Sequence, residues 1–177
     1  SQIERLTQAG CEIVRVAVPD TEAAEAIAVI KKKVSIPLIA DIHFDYRLAI
    51  ASARAGADGL RINPGNIGGR EKVKAVVDCA RDLNVSIRIG VNAGSLEKDL
   101  LKKYQGVTPE AMVESALRHI ELLKSLDFHQ MKISLKASDV ERTVAAYQLL
   151  AAETDLPVPI GVPEAGSLYS DRVKSAL

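Results

Sequence analysis

Five stretches of the chain set polar side chains two residues apart among aliphatic ones: VRVAV, ADIHF, LRINPGN, IRIGVN and MKISLKAS. A strand sends successive side chains to opposite faces. Arg61 with Asn63, Arg88 with Asn92, Asp41 with His43, and Lys132, Ser134 and Lys136 therefore each fall on one side of their strand. Between these stretches the apolar spacing turns helical. TEAAEAIAVIKKKV reads as a helix capped by Asp20 or Thr21, Tyr46 to Ala55 as one ended by Gly56, and Glu71 to Leu83 as a third. A long helix follows Thr108-Pro109, and another runs from Val140 to Glu153. Ser1 to Gly10 reads as the end of a helix closed by glycine, and LPVPIGVPEAG as a sixth strand feeding a final short segment.

Strict alternation of strand and helix demands a mostly parallel sheet covered by helices, because parallel strands need long crossovers. A doubly wound sheet would confine ligand contacts to one crevice. Here polar residues decorate nearly every strand, as expected when many strand ends surround one mouth, so the α/β fold expected is a (β/α)8 barrel. A full barrel runs to roughly 250 residues. About six β/α units within residues 1–177 therefore read as one incomplete barrel domain lacking a strand at each end, and the chain as a fragment.

Composition narrows the function. The apolar content of 47% can bury a sizeable core, and Lys plus Arg equals Asp plus Glu at 23 each, so no global field points to nucleic acid or membrane. Aromatic content of 3% leaves few platforms for stacking bases. Cys11 and Cys79 sit far apart in unrelated contexts and suggest reduced cytosolic thiols; no apolar run approaches spanning length and no targeting segment opens the chain. A soluble cytoplasmic protein is expected.

The basic residues matter where they gather. Arg15, Arg61, Arg88 and Lys136 come from four different strands, and buried guanidiniums are costly unless paired with anions. Asp41 and Glu164 could pair with them internally, but two carboxylates cannot neutralise four cations, so positive charge should remain for an anionic, phosphorylated ligand. PGNIGG, after LRIN, is a glycine-rich turn before a helix, where backbone amides could meet phosphate; tight-turn geometry alone also explains its glycines. His43 beside Asp41 could move a proton or bond phosphate, or serve structure only. His119 and His129 read as surface or packing residues, and no zinc-ligand pattern links the three histidines. Glu164 lies at the end of the last strand, where barrel enzymes place working carboxylates. Asp20, Asp45 and Asp139 each precede a helix and read as caps, and LEKDLLKKY as a solvated face.

Taken together, IVRVAVP, ADIHFDYRLA, LRINPGNIG, IRIGVNAGSLEKDL, KISLKASD and the EAG…VKSA ending resemble one family over essentially all 177 residues: the 4-hydroxy-3-methylbut-2-enyl diphosphate synthases, GcpE or IspG. That resemblance implies an N-terminal TIM barrel and a C-terminal domain whose cysteines and a glutamate hold a [4Fe-4S] cluster, acting as a homodimer. It implies reductive opening and dehydration of 2-C-methyl-D-erythritol 2,4-cyclodiphosphate with electrons from ferredoxin or flavodoxin, in isoprenoid synthesis by the methylerythritol phosphate pathway. It further implies that Arg15, Arg61, Arg88 and Lys136 bind the diphosphate, helped by Asn63, Asn92, Ser134 and His43, with Asp41 orienting its neighbours. The family's cluster cysteines are absent from this chain, and Pro163 replaces the usual threonine before Glu164. Cluster ligands are accordingly expected outside it, and the piece alone is expected to bind rather than to turn over.

Two other readings compete. One is a transferase on a related barrel, such as the pterin-binding dihydropteroate synthases, which also place Asp, Asn, Lys and Arg at strand ends. The other is a non-catalytic anion-binding module.

Overall fold

The computed structural model describes residues 2–159. Strands β1 (Val14–Ala17), β2 (Leu38–Asp41), β3 (Gly59–Ile62), β4 (Ser86–Asn92) and β5 (Met131–Lys136) follow one another in chain order in a single sheet. Helices α1 (Gln2–Gln8), α2 (Thr21–Lys31), α3 (Tyr46–Arg54), α4 (Pro64–Ile67), α5 (Arg70–Asp82), α6 (Lys98–Lys103), α7 (Pro109–Lys124) and α8 (Val140–Glu153) alternate with them. The pairings of β1 with β2 and of β2 with β3 are parallel, with Ala17 opposite Asp41 and Asp41 opposite Arg61. The α/β architecture is the one that alternation demanded. Five strands lie among the described residues; the expected sixth falls mostly outside them, as do Glu164 and the preceding Pro163.

The helix starts follow from local chemistry. The Asp20 carboxylate accepts from the Ala23 N–H at 2.8 Å, Asp45 from Arg47 at 2.9 Å and Asp139 from Glu141 at 2.9 Å, so all three aspartates are caps as expected. The Thr108 hydroxyl accepts from the Ala111 N–H at the head of α7.

Residues 2–88 with Ser125–Gln130 form one compact unit, and Ile89–Lys124 with residues 131–159 another. In the first, α3 packs on α2 and α5, and β2 and β3 supply Leu38, Ala40, Leu60 and Ile62 to the core. Gly59 opens β3 where a Cβ would stand 2.8 Å from Ile39 Cδ1 and 3.2 Å from Ser86 Oγ, so a larger residue would force those side chains on the neighbouring strands to shift. In the second unit α7 packs on α6, α8 and β5, burying Met112, Ala116, Ile120 and Leu123 in one stripe. Tyr147 of α8 reaches the strand backbone: its hydroxyl accepts from Leu135 N–H at 3.1 Å and lies 3.0 Å from the Pro159 carbonyl.

Three local expectations change. β2 ends at Asp41, so His43 lies beyond it in a bend instead of on its face. PGNI coils into a helical turn, because Asn63 caps it and Pro64 occupies the first position, where its missing N–H costs nothing. LEKDLLKKY is not wholly a solvated face, since Leu100 of α6 is fully buried.

Candidate functional site

Within the first unit the parallel register sets Asp41 level with Arg61, and both side chains sink below the surface, at 10% and 9% exposure. Arg61 Nη1 donates to Asp41 Oδ1 at 3.1 Å. Arg15, from β1, brings its Nε to 3.4 Å from the other oxygen, Oδ2. One carboxylate thus spans two guanidiniums. A charge that deep would otherwise carry a desolvation cost of several kcal/mol, so Asp41 and Arg61 hold each other in place. The trio keeps one formal positive charge in excess, and Arg15, with half of its side chain exposed, carries that charge to the surface.

Asn63 is buried just past β3, where its Oδ1 accepts from the Gly65 N–H at 3.0 Å. That bond fixes the side chain's orientation. His43 is exposed, its ring centroid 6.1 Å from that of Phe44, away from the strand face it was expected to share with Asp41. Arg88 lies half-buried in β4.

In the second unit Asn92 closes β4 and Lys136 closes β5, both half-buried, while Lys132 is exposed. Ser134 is buried, and its Oγ donates to the Ile89 carbonyl at 3.3 Å, which commits the proton to the backbone and leaves the oxygen as an acceptor.

Sequence reasoning missed one polar pair, a buried His119 with a half-buried Glu97. His119 lies on the apolar stripe of α7 with its Nε2 3.2 Å from Glu97 Oε1, close enough for an ion pair but short of hydrogen-bond alignment. Contact with His119 draws the Glu97 carboxyl down to about 2, and its own backbone N–H and the Ser115 hydroxyl act in the same sense. The available signal was His119's place one turn from Ser115 and beside Ile120, on a face otherwise apolar. His129, by contrast, is exposed beside Asp127, as its sequence context suggested.

Among the described residues no group of three or more His, Cys, Asp or Glu is placed to hold a metal ion. Cys11 and Cys79 are free thiols, and two cysteines cannot supply the ligand set of an iron–sulfur cluster. These residues do not fit such a group. No helix among the described residues is long and apolar enough to cross a membrane.

The fold resembles that of dihydropteroate synthases. The Xanthomonas albilineans enzyme, solved with indole-2-carboxylic acid and 6-chloroguanine, superposes with a TM-score of 0.60 at 15% identity, over 97% of this chain and 69% of that one. The Yersinia pestis enzyme, solved with a sulfonamide drug, gives 0.60 at 14%, over 90% and 63%. At such identities the likeness is one of fold, a TIM barrel, and carries no substrate.

Sequence similarity is far stronger elsewhere. The 4-hydroxy-3-methylbut-2-en-1-yl diphosphate synthase (flavodoxin) of Pseudomonas paraeruginosa is 60% identical over 177 residues, all of this chain and 48% of that protein. The proteins of the same name from Cellvibrio japonicus and Maridesulfovibrio salexigens are 61% and 59% identical, with 99% and 100% of this chain matched to 47% and 49% of theirs. The chain spans about half the length of these relatives. The family model described as the GcpE TIM-barrel domain matches residues 1–177, so this chain, with its parallel strands and arginine-bridging aspartate, belongs to the GcpE family.

Proposed function

We propose that this chain is the substrate-binding barrel of a reductive synthase that converts 2-C-methyl-D-erythritol 2,4-cyclodiphosphate to 4-hydroxy-3-methylbut-2-enyl diphosphate. The observation that carries the reading is 60% identity, along the whole chain, to proteins that bear that synthase name. The Arg15–Asp41–Arg61 trio supports it physically. Asp41 holds one nitrogen of each of two guanidiniums, and planar donor forks of this kind suit the paired oxygens of a diphosphate.

In this reading Arg15, Arg61, Arg88 and Lys136 grip the diphosphate, with Asn63, Asn92 and Ser134 adding neutral contacts. Asp41 orients the arginines. His43, exposed beyond β2, is free to rotate toward a bound phosphate, and Glu164 is the candidate carboxylate for the proton steps. A [4Fe-4S] cluster would be held by residues outside this chain and would supply the electrons. Flavodoxin, which the relatives' names carry, is the favoured donor over ferredoxin. A homodimer and a cytoplasmic location complete the reading.

Titration calorimetry on the full-length protein tests it, with inorganic pyrophosphate and a pterin diphosphate as controls. Selective binding of the cyclic diphosphate is expected, weakened at least about 100-fold in Arg61→Ala, as befits loss of one partner of a buried charged pair. Equal affinity for the pterin compound would point to a transferase instead. Unchanged binding in Arg61→Ala would remove the trio from the site.

A further inference from the structure

The Glu97–His119 pair has no part in the site described above, yet both residues lie in the second unit, next to a segment that does. β4 ends at Asn92; a single 3-10 turn, Ala93–Ser95, follows, then buried Leu96 and, at the N-cap position of α6 without a side-chain capping bond, Glu97. Four residues thus separate a candidate ligand contact from an acid held against α7. The anchor is specific. His119 is only 7% exposed at its side chain, Glu97 approaches it to 3.2 Å, and Ser115, one turn earlier on α7, is buried beside them. One residue along, Arg118 Nη1 donates to Asp99 Oδ2 at 2.6 Å, so the same helix grips the start of α6 at two points, one buried and one exposed.

Residues 93–95 of this segment form a 3-10 turn in which the Ser95 hydroxyl donates to the Asn92 carbonyl at 3.4 Å, so its placement is set by that turn together with what holds its two ends. One end here is the strand, and the other is the carboxylate against His119. A buried histidine on an apolar face carries a desolvation cost that a leucine would not, and the Glu97 carboxylate 3.2 Å from its Nε2 offsets part of it. Its effect is to fix the position of Glu97.

We propose that His119 is a positioning residue which, by clamping Glu97, fixes the 92–97 loop and thereby orients Asn92 for the anionic ligand of the barrel. The inference rests on the reading that Asn92 contacts the cyclic diphosphate.

Its test uses the full-length protein and four single variants, His119→Ala, His119→Gln, Glu97→Gln and Asn92→Ala, plus the double variant His119→Ala with Asn92→Ala. Calorimetric Kd for 2-C-methyl-D-erythritol 2,4-cyclodiphosphate is read for each, together with the urea midpoint. His119→Ala and Glu97→Gln are expected to raise Kd about tenfold, the scale of a misplaced contact. Gln carries a donor near the Nε2 position, so His119→Gln should recover most of that affinity. The double variant should bind no worse than Asn92→Ala alone, because a clamp acting through Asn92 has nothing left to position. Parent-like Kd in both Glu97→Gln and His119→Ala, or losses that add in the double variant, would overturn the proposal. Should His119→Ala fail to fold, near-isosteric Glu97→Gln and its double with Asn92→Ala take its place, and a parent-like Kd in the first or additive losses in the second sink the clamp equally. Arg61→Ala separates the two readings: if it binds like the parent, the substrate-binding reading itself fails, whereas a loss there with normal binding in the clamp variants sinks the clamp alone.

Discussion

At the scale of single residues, charge pairing below the surface decides most of what is specific to this chain. Asp41 is legible in the sequence as one of a polar set on a strand face, because alternation alone puts it with the cations. Its role as a bridge between Arg15 and Arg61 is not, since that depends on which strands are neighbours and in what register. His119 shows the opposite case: its helical face is legible, but its partner lies twenty-two positions away on a loop, and spacing within a helix says nothing of it. A pH dependence follows. Glu97 has its carboxyl at about 2 when folded, below its ordinary 4.5, so between those values the unfolded chain binds more protons. The stability this group contributes is therefore complete above about pH 4.5 and is lost as the pH falls toward 2. Urea midpoints of the parent and Glu97→Gln should differ at pH 7, and the gap should narrow steadily as the pH falls from about 4.5 to 2. A gap that persists at low pH would show that the Glu97 charge is not what stabilises the folded chain.

At the scale of elements, capping and close approach dominate, and capping is written locally. Asp20, Asp45 and Asp139 are legible as caps because a short acceptor just before an apolar-periodic run can serve the helix's first free N–H groups. Asp139 accepts from two of them, Glu141 and Arg142, so Asp139→Ala should lower stability by about 1 kcal/mol, measured by urea unfolding. Gly59 is not legible, since nothing near it in sequence announces Ile39 and Ser86 on either side. Gly59→Ala should cost about 1–3 kcal/mol through overpacking against Ile39 Cδ1 and Ser86 Oγ, and Gly69→Ala, where a Cβ meets nothing within 4 Å, should cost less. The helical turn at 64–67 reads as a loop in sequence because its glycines favour turns; the Asn63 cap and Pro64 together outweigh them. Alternation alone places the end of β2 too late, because the apolar pattern continues through Ile42 and Phe44 while the strand's pairing stops at Asp41.

At the scale of the whole molecule, the chain carries no net charge, so an anion is attracted only by local groupings such as the Arg15–Asp41–Arg61 trio. A ligand that binds only the folded form should stabilise it by mass action, about 2.7 kcal/mol at 100 times its Kd. The full-length protein should therefore show a rise in Tm with the cyclic diphosphate at that excess, and Arg88→Ala should show little or none at the same concentration. The sequence by itself determined the alternation of strand and helix, the parallel sheet that alternation requires, the helix caps, and the polar residues gathered on strand faces, because each depends on neighbours within one or two turns of chain. Only the tertiary structure decided that Asp41 bridges two arginines, that His43 leaves the strand face, that Ser134 donates a hydrogen bond to the Ile89 carbonyl, and that His119 meets Glu97. Each of these joins residues whose separation in sequence carries no information about their distance in space, and burial, which makes such pairings energetically decisive, exists only once the chain has packed.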